Sequence, residues 1–197
     1  MLPPQDRKTI RQQKRALRRE LSPRQQRLAA LNLCNNLSRT PAFQNAKRVS
    51  VYLASDGEID LTPIIHLCWK RNKDLYLPVL HPIKHNTLWF SRFSPRTRLH
   101  RNKYKILEPS IKRTHSKAWA LDLVLVPLVA FDDQGERMGM GGGYYDRTFA
   151  FIQKKTGLKG PKLIGVAHHI QRADPLPTQS WDVPMQGVVT DQKRYGF

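Results

Sequence analysis

Four glycines fall within five positions, Gly139, Gly141, Gly142 and Gly143, with Arg137-Met138 before them, Met140 among them and Tyr144-Tyr145-Asp146-Arg147 after them. Glycine has no Cβ, so such a run lets the backbone approach a ligand closely and adopt positive φ. At the start of a helix its N–H groups can converge on an anion, and Arg137 can add a two-pronged contact to a phosphate. The run is not a P-loop, since no Gly-Lys-Ser/Thr follows, and it is not a dinucleotide fingerprint, since the third glycine of that register is Tyr144. A passive turn is the alternative; the Tyr-Tyr-Asp that follows at once favours phosphate binding. Asp146 suits a magnesium ion shared with phosphate oxygens, and equally suits the first turn of a helix, where a carboxylate complements the dipole. The residues alone leave those two open.

Asp56, Glu58 and Asp60 place three carboxylates in five residues of a chain that is otherwise strongly basic. One could accept hydrogen bonds from a ring N–H donor or hold a metal; a cluster of acids opening a helix is the even alternative. Asp182, between Trp181 and Val183-Pro184, is a third isolated acid. His81, His85, His168 and His169 do not make a metal constellation, no HExxH occurs, and no nucleophile elbow supports Ser–His–Asp catalysis. Cys34 and Cys68 form no CxxC, which excludes a zinc ribbon and a disulfide scaffold.

These loops need elements to hold them. Leu17, Leu21, Leu28, Leu31 and Leu33 recur at roughly helical spacing, and Ser22-Pro23 marks a helix start, so a basic helix and a second amphipathic helix are expected before Thr40-Pro41. Val49–Ala54 reads as a strand ending at the Ser55-Asp56-Gly57 turn, and Thr62 as the N-cap of a helix carrying Ile64, Ile65, Leu67 and Cys68. Leu75–Leu80, Leu88–Phe90, Leu163–Ala167 and Gly187–Val189 are further strands. Leu121–Val129, apolar at nearly every position, is a strand buried on both faces. A helix from about Tyr144 to Lys155 follows the glycine loop. The strand–helix–strand alternation predicts a mostly parallel α/β sheet in a single domain, whose loops at the carboxyl ends of the strands carry the ligand.

The chain has 197 residues, with 34 Lys and Arg against 15 Asp and Glu, for a net charge of +19. That length supports a buried core without disulfides, and 40% apolar residues exclude a disordered tail protein. The first fifteen residues lack an apolar stretch of the secretory kind, and no apolar run is long enough to cross a bilayer, so a cytoplasmic protein without a membrane partner is expected. Residues 1–27 hold nine basic side chains against Asp6 and Glu20. The charge predicts anionic partners. A basic RNA-binding protein on an α/β scaffold is one alternative, resting on Trp89, Phe90, Arg92 and Phe93 as a short aromatic–basic strand, but it leaves the glycine loop unexplained. A sugar-phosphate enzyme using that loop without ATP is another. Weak, salt-sensitive nucleic-acid binding follows from charge in either case.

Together the segments resemble the 5-formyltetrahydrofolate cyclo-ligase, or methenyltetrahydrofolate synthetase, family over nearly the whole chain. The carriers are Arg7–Arg11, Tyr52–Asp60, Leu77-Pro78-Val79, Ile106–Pro109, Pro127–Asp132, Arg137–Arg147 and Trp181–Pro184, of which the glycine-rich Tyr-Tyr-Asp segment is the specific one. The resemblance implies a three-layer α/β domain with a mixed, mostly parallel sheet, spanning residues 1–197 with a basic helical segment, 1–40, packed on it. It implies ATP- and magnesium-dependent closure of 5-formyltetrahydrofolate to 5,10-methenyltetrahydrofolate, with ADP and phosphate released, by a monomer. It implies Arg7, Lys8, Arg11 and Arg137 through Tyr145 (Met138, Gly139, Met140, Gly141, Gly142, Gly143 and Tyr144 included) around ATP. Leu53, Glu58 and Met140 to Tyr144 would meet the folate, Arg137, Tyr145 and Arg147 would be catalytic, and Asp146 and Asp182 would hold Mg2+. Basic side chains at 98–105 would receive the folate's anionic glutamate tail. Some members of the family carry a lysine in the loop where this chain has Gly142, and Arg137 or Arg147 would replace its charge.

Overall fold

The computed structural model describes residues 6–110, 115–153, 160–173, 175–177, 179 and 181–196. The chain begins with helices α1 (Arg7–Arg19), α2 (Pro23–Ser38) and α3 (Pro41–Asn45), followed by strand β1 (Arg48–Ser50) and helix α4 (Thr62–Lys70). Strands β2 (Asp74–Leu80), β3 (Leu88–Phe93), β4 (Leu99–Arg101), β5 (Leu107–Pro109), β6 (His115–Ser116), β7 (Leu123–Pro127), β8 (Ala130–Phe131) and β9 (Arg137–Met138) come next. Helix α5 (Tyr144–Phe149) and strands β10 (Lys162–Ala167), β11 (Gly187–Thr190) and β12 (Arg194–Gly196) complete the described elements. Eight strands form one sheet in the order β12-β11-β10-β7-β1-β2-β3-β6. The pairings from β11 through β10, β7 and β1 to β2 are parallel, and the edges are antiparallel. This is the mixed, mostly parallel α/β sheet that the alternation of elements predicts.

β7 shows why the protein is layered. Leu123 and Leu125 face a cluster with Leu33 and Leu37 of α2 and Ile64 and Cys68 of α4. Val124 and Val126, one residue out of step, face Phe149 of α5, Leu163 and Val188. Side chains alternate across a strand, so an apolar residue at every position needs helices over both faces. A third, smaller cluster joins Ile10 of α1 to Ala130, Met138 and Leu176. It fastens the basic helix beside the β8–β9 hairpin.

The helix ends follow local chemistry. Ser22 and Gln25 form a reciprocal capping box ahead of Pro23, and Asp6 caps α1 through the Thr9 N–H. Two expectations shift. Leu61, not Thr62, holds the N-cap position of α4, because the Asp60 carboxylate accepts from both the N–H and the hydroxyl of Thr62 and draws it into the first turn. The helix after the glycine loop stops at Phe149 and tightens into a 3₁₀ turn over Ala150–Ile152; Lys155, its expected end, lies outside the described residues.

The leucine stripe is the larger correction. Leu17, Leu28 and Leu31 are exposed, while Leu33 of the stripe is buried together with Ala29, Ala30 and Leu37 of α2. Leu125→Ala should therefore destabilise the protein by about 2–5 kcal/mol, and Leu28→Ala by less than about 0.5 kcal/mol. Urea denaturation of both variants measures the contrast.

Candidate active site

The loops leaving β1, β2 and β7 meet under α1 around a cavity of ≈ 1170 Å³. One part of its wall is polar and basic: Arg7, Arg11 and Arg15 of α1, Arg137, the loop Gly139–Gly143, and Asp146, Trp181 and Asp182. Apolar side chains, Leu53, Leu77, Pro78, Leu80, Leu88, Ile106 and Val126, line it too, and so does Glu58. Tyr144 and Tyr145 line it as well.

The glycine loop turns through positive φ at Gly141 (97°) and Gly143 (65°), and Gly143 is the N-cap of α5. Arg11 donates to the Gly139 carbonyl oxygen at 2.9 Å, and its guanidinium carbon lies 3.6 Å from the place a Cβ on Gly141 would take. A side chain at 142 would meet the Tyr144 ring at 2.9 Å. The Tyr144 hydroxyl shares a 2.6 Å hydrogen bond with Tyr104 from the β4–β5 hairpin. Burial and this bond push the Tyr144 phenol up to about 12.

Each expected metal-binding acid already has an arginine. Asp146 Oδ1 accepts from Arg137 at 2.5 Å and from the Val183 N–H at 3.2 Å, and Arg137 also donates to the Val183 carbonyl oxygen at 2.8 Å. Asp182 lies 3.4 Å from Arg7, which donates to the Pro177 carbonyl oxygen at 2.7 Å. Residues far apart in the chain thus put two carboxylates and two guanidinia on one wall. Among the described residues no group of three or more His, Cys, Asp or Glu side chains is arranged to hold a metal by itself. Two hard carboxylates that need phosphate oxygens to complete a shell are a donor set that fits Mg2+.

Glu58 Oε2 accepts from the backbone N–H and the hydroxyl of Ser55 at 3.1 and 3.3 Å. Burial holds its carboxyl above the ordinary range, against the opposing pull of Arg18 and of these Ser55 bonds. The turn before it is unusual: Asp56 and Gly57 both have positive φ, 51° and 74°. Arg15, Arg18 and Arg19 all bond the Asp56 carboxylate. A Cβ on Gly57 would stand 2.8 Å from the Arg18 carbonyl oxygen, so only glycine lets the turn lie on α1.

The structure brings most of the expected residues to this wall: Arg7, Arg11, Leu53, Glu58, Arg137, Gly139 to Tyr145, Asp146 and Asp182. Three fall elsewhere. Lys8 is exposed on the outer side of α1. Met138 packs under Ile10. Arg147 folds back along the outside of the loop to donate to the Gly142 carbonyl oxygen at 2.7 Å. Of the basic residues at 98–105, Lys105 reaches the wall. Sequence reasoning missed Arg15, Tyr104, Asn102 and Glu108. Glu108 is buried, accepting from Asn102 at 2.9 Å, and its place beside Pro109 carried no signal that an acid would point inward.

A family model described as the 5-formyltetrahydrofolate cyclo-ligase family matches residues 3–191. The chain belongs to this family. The 5-formyltetrahydrofolate cyclo-ligase of Escherichia coli K12 is 40% identical over 181 residues, which are 91% of this chain and 97% of that protein. The Haemophilus influenzae cyclo-ligase is 37% identical over 186 residues, 94% and 97% of the two chains. The solution structure of the Aquifex aeolicus 5,10-methenyltetrahydrofolate synthetase superposes with a TM-score of 0.80 at 30% identity, covering 96% of this chain and 92% of that one. The cyclo-ligase family therefore accounts for both the sheet and the loops that meet at the cavity.

The aromatic–basic strand that favoured nucleic acid is used inside the protein. Phe90 is buried, Trp89 lies between His81 and His115 with centroids 4.5 Å away on each side, and Phe93 packs on Trp69. No helix among the described residues is long and apolar enough to cross a membrane.

Proposed function

We propose that the protein cyclises 5-formyltetrahydrofolate to 5,10-methenyltetrahydrofolate, converting ATP to ADP and phosphate, as a cytoplasmic monomer of one domain. The observation that carries this reading is a single cavity lined by a glycine loop flanked by arginines, by apolar side chains and by Glu58. Its volume, just above the range of about 300–1,000 Å³ usual for small-molecule sites, leaves room for two substrates side by side. The 5-formyltetrahydrofolate cyclo-ligase named for the Escherichia coli relative supplies the substrate class.

Glu58 accepts hydrogen bonds from the N–H groups of the pterin, and Leu53 and Pro78 cover its faces. Arg7, Arg11 and the N–H groups of Gly139–Gly143 receive the phosphates of ATP. The formyl oxygen is a poor leaving group; it takes the γ-phosphoryl group with release of ADP, N10 attacks the formyl carbon and gives up its proton, and phosphate departs with that oxygen and takes the proton up. The protein's part is to hold the two reactants in line and neutralise the charge that develops. Arg137 stands beside this transfer, while Tyr145, with its phenol pushed up by burial and by Glu58, stays neutral and closes the wall. Arg147 supports the loop from outside, which leaves Arg137 as the cation for the γ-phosphate in place of a loop lysine, with Arg11, which lies against Gly141, beside it. Asp146 and Asp182 would hold Mg2+, which when bound neutralises phosphate charge, and Arg137 and Arg7 occupy those carboxylates without it. The outer basic surface binds nucleic acid weakly and with steep salt dependence.

The direct test mixes the protein with 5-formyltetrahydrofolate, magnesium and ATP and follows the near-ultraviolet absorbance of the methenyl product. An ATP-dependent rise is expected, and no rise from folded protein overturns the reading. Glu58→Ala removes a charged acceptor and should raise KM for the folate roughly 10- to 100-fold while moving KM for ATP far less; the reverse pattern would reassign Glu58. Asp146→Asn should fold normally and shift the magnesium requirement upward by about tenfold or more, and an unchanged magnesium dependence would remove Asp146 from the metal site.

A further inference from the structure

Arg18, near the end of α1, has no exposed surface. Its Nε donates to the Asp56 carbonyl oxygen at 2.8 Å, one terminal nitrogen to the Leu128 carbonyl oxygen at 3.3 Å, and the other to Asp56 Oδ2 at 3.0 Å. That last nitrogen also lies 3.8 Å from Glu58 Oε1. Three segments that line the cavity or support it therefore meet on one guanidinium: α1, the turn after β1 and the end of β7. Ser55 fixes one oxygen of Glu58, and Arg18 faces the other.

We propose that Arg18 is a positioning residue of the folate subsite, holding Glu58 ionised and oriented for the ring N–H donors of the substrate. This rests on the reading that Glu58 takes the pterin. The groups facing Glu58 are few. Asp56 on the same turn and burial both oppose its ionisation, and Arg18 from α1 favours it. Tyr52, behind β1, and Tyr145 of α5 sit beside it as phenols that burial keeps neutral. His168, after β10, lies on the far side of Gly57 near Arg18, and burial lowers its pKa as well. Among the described residues, Arg18 is thus the cation that opposes desolvation at Glu58. Arg15 and Arg19 also bind Asp56, so its carboxylate keeps two of its three arginine partners when Arg18 is replaced.

The test is equilibrium binding of 5-formyltetrahydrofolate, without ATP, by calorimetry from about pH 5 to about pH 8. Wild type, R18M and R18K are compared, with thermal unfolding followed at each pH. Ionised Glu58 is the binding form, so affinity falls as pH drops through its midpoint. R18M should move that midpoint upward by about one pH unit or more, weakening binding about tenfold per unit below it. R18K, which keeps the charge, should restore most of the shift, and the ligand's own titration is common to all three. If R18M does not fold, R18Q, which keeps amide donors without charge, carries the same comparison. A midpoint that stays at the wild-type pH in the uncharged variant, with affinity lost evenly across the range, would overturn the proposal and leave Arg18 a structural residue. Wild-type affinity in E58Q at pH 7 would instead overturn the assignment of Glu58 to the pterin, and the proposal with it.

Discussion

A guanidinium with no solvent-exposed surface must find its hydrogen-bond acceptors within the protein. Arg18 finds them in Asp56 and Leu128, and Gly57 lies against the backbone of the same helical turn, too close for any Cβ. Much of the site depends on that contact. It fixes α1 across the carboxyl ends of the strands, and so sets where Arg7 and Arg11 point. It also fixes the turn that presents Glu58. The residues proposed for the two substrates are thus held in one relation by a helix that the bare charge count would assign to solvated surface.

The sheet supplies the frame for this contact. With β7 buried on both faces and parallel neighbours on each side, the loops after β1, β2 and β7 emerge at one edge and have no choice but to meet. Helices α2 and α4 fill one face and α5 the other. Asp132 fixes the lead into the glycine loop, its two oxygens accepting from Gln134, Glu136 and Leu176 N–H groups.

The excess of positive charge is unevenly used. Arg7 and Arg137 neutralise the two acids proposed for magnesium, and three arginines converge on Asp56. Both carboxylates on the cavity wall are paired with a guanidinium, which offsets the cost of desolvating either charge alone. Lys8, Arg24 and Arg27 face outward and do none of this.

Local pattern was enough for the parallel core, because apolar runs of strand length, capping residues and turn dipeptides each act within a few residues. The Ser22-Pro23 start, the doubly buried Leu123–Pro127 and the glycine loop before Tyr144 all stand where their neighbours in sequence require. The family, too, was readable from segments whose chemistry is local. What local pattern could not supply was which side of an element meets the rest of the molecule. Leu28 and Leu31 face water, while Ala29, Ala30, Leu33 and Leu37 form the buried face of α2. Arg18 is buried among arginines that look the same in the chain, and Met138 leaves the glycine loop for the core. Arg147 reaches the loop from outside, while Tyr104 and Glu108 arrive from a hairpin whose sequence marked the family but not which of its side chains turn to the cavity. Each of these depends on contacts between residues distant in sequence, and such contacts exist only once the layers have closed.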